Sequence, residues 1–91
     1  MSHLAARKQP LINRIRRIAG QVAAVERALE EEADCATTLQ RLAAVRGAVD
    51  GLLQEIIADH LREHVAHPGL SDAERAEGAE ELVAVIRRYA P

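Results

Sequence analysis

Residues 33–67 read ADCATTLQRLAAVRGAVDGLLQEIIADHLREHVAH, with no proline before Pro68. Within this run Cys35, Leu39, Leu42, Val49, Leu53, Ile56 and His60 recur at steps of three, four or their sums, so they line one face of a single long helix. The chain's one cysteine opens that face and a histidine closes it. Cys35 and His60 stand about 25 residues apart, and at ~1.5 Å of rise per residue a continuous helix separates them by roughly 37 Å. They cannot meet on their own helix. Two copies packed antiparallel about a two-fold axis would instead set Cys35 of one chain beside His60 and His64 of the other. The crossing would fall near Ala43, Ala44, Gly47, Ala48 and Gly51, where small residues let helix axes come close. Interior glycines otherwise cost ~1 kcal/mol each against alanine.

Around this stretch the composition sets limits. The 91 residues make one small domain, residues 1–91, and its one aromatic residue is Tyr89. A core so poor in large side chains makes self-association the expected route to stability. Abundant Ala, Leu, Glu and Arg favour an all-α fold. No run of ~18 or more uncharged apolar residues exists to span a membrane, and the basic first twenty residues do not read as a signal peptide. A lone cysteine fits a reducing cytoplasm, where it stays a thiol or binds metal.

Helices are expected over about 9–32, 35–66 and 72–89, after a flexible arm over residues 1–8. In the arm, removal of Met1 would leave the Ser2 amine beside His3, a pair able to chelate a transition metal; the alternative is a mobile tail. Pro10 is tolerated in the first helical turn. Leu11, Ile15, Ile18, Val22, Val25 and Leu29 then alternate by four and three as a seam. The formal net charge is −2, but the charges are not evenly mixed. Lys8, Arg14, Arg16 and Arg17 gather at one end and Glu30, Glu31, Glu32 and Asp34 at the other. Gln21 continues the face of Arg14 and Arg17. Guanidinium forks suit phosphates and guanine edges; a solvated basic face is the plainer alternative.

Asp34 is placed to cap the second helix. Cys35 follows at its first position, where the positive end of the helix dipole favours an anionic sulfur; a small buried hydrophobe is the other reading. His60, His64 and His67 fall at i, i+4 and i+7, on one side of the expected helix. Pro68 and Gly69 stop it. Ser71 with Glu74 forms a capping box for a third helix, whose Ala79, Leu82, Val83, Ile86 and Tyr89 share a face. No acid, base and nucleophile constellation indicates an enzyme.

Ser2-His3, IRRIAGQVAAVERAL from Ile15, Cys35, LAAVRGAVDGLLQEII from Leu42 and HLREHVAH from His60 together resemble the CsoR/RcnR family of metal-sensing transcriptional repressors, most closely its nickel- and cobalt-responsive branch. The resemblance covers nearly the whole chain. It implies a three-helix protomer, a four-helix bundle in an antiparallel homodimer, and dimers paired into a homotetramer. It also implies operator DNA held by basic residues, here Lys8, Arg14, Arg16, Arg17, Gln21 and Arg46, without a helix-turn-helix. Positions matching His3, Cys35, His60 and His64 choose the inducer in that family, and His67 also occurs in the nickel/cobalt branch. The copper branch has a cysteine in place of His64. The formaldehyde branch has proline in place of Ser2 and a carboxylate in place of His64.

One thiolate with several nitrogen donors suits Ni(II), Co(II) or Zn(II) better than Cu(I). The expected function is repression in the metal-free state, relieved by Ni(II) or Co(II) to derepress metal efflux. Two alternatives stand beside it: a formaldehyde-responsive repressor using Cys35 and the terminal amine, and a structural zinc-binding helical oligomer.

Overall fold

The computed structural model describes residue 5 and residues 7–89, so Ser2, His3 and most of the expected arm lie outside the described residues. Those residues form three α-helices and no strand: α1 Lys8–Glu30, α2 Cys35–His64 and α3 Asp72–Tyr89. The fold is all-α. Among the described residues no helix is long and apolar enough to cross a membrane. The chain divides into two compact units, one pairing α1 with the first part of α2 through Leu53, the other holding the rest of α2 together with α3.

In the first unit α1 ends at Glu30, two residues before the expected limit, because the chain turns left-handed at Glu32, φ 55°. Ala33 N–H donates to the Ala28 carbonyl at 2.8 Å and Glu32 N–H to Leu29 at 3.2 Å, the paired bonds of a Schellman close. Glycine is the usual occupant of such a position, since a Cβ there crowds the following carbonyl. Here a glutamate occupies it, at the negative pole of a helix whose last turn has only Arg27 as a basic residue. Glu32→Gly is therefore expected to stabilise the protein by about 1 kcal/mol, read as a higher urea midpoint at fixed protein concentration. Glu32→Gln removes the charge without relieving the backbone, and should recover only a minor part of the gain.

The α1 seam divides between two directions. Leu11 is buried and Ile18 and Val25 are half-buried, whereas Ile15, Val22 and Leu29 are 50, 51 and 66% exposed. Each set repeats every seven residues, so one stripe turns inward while its neighbour stays uncovered. The same holds on α2, where Leu52 is buried and Val45 and Ala48 are half-buried. Leu39, Leu42 and Val49, members of the face read from the sequence, remain 59, 52 and 46% exposed. That face is thus not the one α2 applies to α1. An apolar groove of about 330 Å³ opens among Val22, Val25, Leu29, Leu42 and Val45.

In the second unit α2 closes at His64, again two residues early. The N–H groups of Val65 and Ala66 both turn back to the Leu61 carbonyl, at 3.1 and 2.8 Å. The Arg75 guanidinium then satisfies the Val65 carbonyl and, at 3.3 Å, that of Leu70, binding the turn to α3. The capping box is formed: Ser71 N–H donates to Glu74 Oε1 at 2.9 Å and Glu74 N–H to Ser71 Oγ at 3.1 Å. The Ser71 N–H, and then its hydroxyl, hold the Glu74 carboxyl below its ordinary range.

Candidate functional site

Each end of α2 carries part of the expected donor set. At its start, the Asp34 carboxylate accepts from the Thr37 hydroxyl at 2.6 Å and from the Thr37 N–H at 3.4 Å. The hydroxyl bond, more than the N–H bond, holds the Asp34 carboxyl below its ordinary range. Capped in this way, α2 presents Cys35 as its first residue, exposed and without a disulfide. The thiol is accessible, as a ligand must be, and is not a buried hydrophobe.

At the far end, one helical turn separates His60 and His64, whose ring centroids lie 4.8 Å apart. Both rings are half-buried. His60 Nε2 lies 3.1 Å from the Gly78 carbonyl oxygen and 3.7 Å from the Glu81 carboxylate. Beside them, buried Asp59 accepts from Arg62 at 3.0 Å. His67 departs from the expected stripe. It lies beyond the helix end, and its Nδ1 accepts from the Gly69 N–H at 3.0 Å, because Pro68 ends helical geometry before a further turn can form.

Two imidazoles are therefore brought together, and Cys35 stands at the other end of the same helix. Among the described residues no three His, Cys, Asp or Glu side chains converge to hold an ion. The donor chemistry nevertheless fits a borderline divalent metal, with two nitrogens one turn apart and an accessible sulfur.

The basic residues separate into two kinds. Lys8, Arg16, Arg17 and Arg46 are exposed. Arg14 and Gln21 are half-buried on the flank of α1 that turns toward α2. A Cβ at Gly51 would lie 2.5 Å from a terminal guanidinium nitrogen of Arg14, so Gly51 makes room for that side chain. Gln21 Oε1 is buried without a hydrogen-bond partner. Gly47 has open space beside it. The two glycines read together from the sequence therefore have different surroundings.

Gly78, Glu81 and Arg75 were not singled out by the sequence reading. Of these only Gly78 carried a signal, as an interior helical glycine unexplained by any turn.

A model of metal-sensitive transcriptional repressors matches residues 7–88 of the chain. The transcriptional repressor RcnR of Salmonella arizonae is 44% identical over 89 residues, 98% of each protein. RcnR of Escherichia coli K12 is 43% identical over the same share. Among solved structures, a glutamate-to-histidine variant of the formaldehyde-responsive regulator FrmR from Salmonella enterica serovar Typhimurium superposes with a TM-score of 0.82. That protein is 41% identical, and the match covers 90% of this chain and 92% of the other.

Proposed function

The chain belongs to the family of metal-sensitive transcriptional repressors, DNA-binding proteins rather than enzymes, and from that premise we propose that it is a cytoplasmic repressor released from its operator by Ni(II) or Co(II). The observation that carries the choice of inducer is the His60–His64 pair, two imidazoles one turn apart with ring centroids 4.8 Å from each other, in a chain with a single thiol.

The protein acts as an antiparallel homodimer, assembling further to a homotetramer. Supporting this is the uncovered stripe of Ile15, Val22, Leu29, Leu39, Leu42 and Val49, which a second copy lying head to tail would bury. In that pairing Cys35 of one protomer joins His60 and His64 of the partner subunit as the core of the donor set. The Ser2 amine and His3 add nitrogen donors, and His67 is a further candidate donor through Nε2, its Nδ1 being held by the Gly69 N–H. A bound ion supplies the attraction that gathers these groups. Exposed Lys8, Arg16, Arg17 and Arg46, with Arg14 and Gln21 at their flank, meet the operator; their grip on phosphates weakens steeply with salt. Drawing Ser2 and His3 toward the site pulls the start of α1, and its basic side chains, away from the DNA. Derepression of metal efflux follows.

The FrmR neighbour and the accessible Cys35 favour one second reading, release by formaldehyde through the thiol and the terminal amine. Operator anisotropy titrated separately with Co(II), Ni(II), Zn(II), Cu(I) and formaldehyde decides. Allosteric couplings of this kind weaken binding roughly 5–150-fold, and that change is expected with Co(II) and Ni(II). Release by formaldehyde alone would transfer the protein to the second reading. Loss of helical structure on chelation would identify a structural zinc protein instead.

A further inference from the structure

His64 is the last residue of α2, and the carbonyls of a helix's last turn have no partner within it. A side chain at such a position is held as firmly as the turn that follows. Here the N–H groups of Val65 and Ala66 close back on the Leu61 carbonyl, at 3.1 and 2.8 Å. The Val65 carbonyl is taken by Arg75 Nη1, and Arg75 Nη2 reaches the Leu70 carbonyl at 3.3 Å. One guanidinium thus joins the two ends of the 65–70 turn. Its planar fork suits two acceptors at once, and its charge lies at the negative pole of α2.

Arg75 is itself anchored. It belongs to the first turn of α3, where its N–H donates to the Ser71 carbonyl at 2.9 Å, and its side chain is half-buried. The competing explanation is that the Ser71–Glu74 capping box alone fixes the turn. Its two bonds lie within residues 71–74. The guanidinium bonds instead run from α3 back to the residue that follows His64.

We propose that Arg75 is a positioning residue for His64. Its fork clamps the turn after α2, keeps the last helical turn from opening, and so holds the His64 imidazole one turn from that of His60. The inference rests on the reading of His64 as a metal ligand. Loss of a group that orients a ligand typically weakens metal binding by about 10–100-fold. Arg75 acts through the backbone, so the low end of that range is expected.

The test uses the full-length protein. In the metal-free form of Arg75→Met, amide hydrogen exchange at Val65 and Ala66 should quicken by about 10-fold or more while amides of α1 keep their rates. Unchanged rates at Val65 and Ala66 overturn the proposal, and so does an equal rise along the whole chain, which would mark a general loss of stability. Co(II) affinity of the same variant should fall by about 10-fold, with metal-free operator affinity within about 2-fold. Arg75→Lys keeps the charge without the fork and should recover only a minor part of the Co(II) affinity; full recovery overturns the clamp, because charge at the helix pole would then suffice. Ser71→Ala should lower the urea midpoint and leave Co(II) affinity within about 2-fold; a loss equal to that of Arg75→Met assigns the effect to the cap and not to Arg75. His64→Ala separates the two readings. Unchanged Co(II) binding in that variant removes His64 from the donor set, whereas the exchange rates test the clamp independently.

Discussion

A Leu42→Glu protein is expected to be monomeric at micromolar concentration and to lose operator binding. Leu42 is 52% exposed and lines the apolar groove between α1 and the first part of α2. Six large aliphatic side chains stand roughly half-exposed there. Covering the remaining half of each yields about 1 kcal/mol per side chain, so on the order of 10 kcal/mol over two protomers. A carboxylate placed at the centre of such a contact forfeits its share and adds a desolvation cost of several kcal/mol. The dissociation constant should rise by more than about 1,000-fold. Sedimentation equilibrium measures the change. Because Leu42 is not buried within its own chain, a monomer that keeps its helices by circular dichroism is the expected product. A dimer of undiminished affinity would contradict association through this face.

Cys35→Ala and His60→Ala should each weaken Co(II) binding by at least about 100-fold and leave the metal-free operator complex intact but no longer released by metal. The decisive form of the experiment mixes defects. In a heterodimer of a Cys35→Ala protomer with a His60→Ala/His64→Ala protomer, donors shared between chains reconstitute one complete site and leave the other empty of both kinds. The expected result is near-normal affinity at half the usual stoichiometry, followed by the intensity of the thiolate-to-cobalt absorption. Donors drawn from within one chain would leave two broken sites and no recovery.

Helices, caps and stops were legible because each depends on residues close in sequence. Asp34 with Thr37, Ser71 with Glu74, and Pro68 after the last turn of α2 are local chemistry, and the structure realises it within a turn. The helix ends were less legible. Glu32 adopts a conformation that composition assigns to glycine, and His67 lies beyond a helix that Pro68 closes early. Within the site, the His60–His64 pairing followed from a four-residue spacing. The contact between His60 and Gly78 did not, because it joins residues 18 positions apart on different helices. Arg14 teaches the same lesson. Periodicity placed it with Arg17 on one basic face, but only packing shows its guanidinium settled over Gly51. Interior glycines at positions 51 and 78 marked both approaches without saying what approached.

The division of the α1 seam into an inward set, Leu11, Ile18 and Val25, and an outward set, Ile15, Val22 and Leu29, separates two properties that small helical proteins usually have entangled. Under the pairing proposed above, mutations in the first set act on how firmly a protomer holds its shape, and mutations in the second on which chains it accepts. A bacterium carrying several paralogues of this kind can therefore insulate them from one another by redrawing only the outward positions, through mismatched bulk or charge, while each keeps the same internal scaffold.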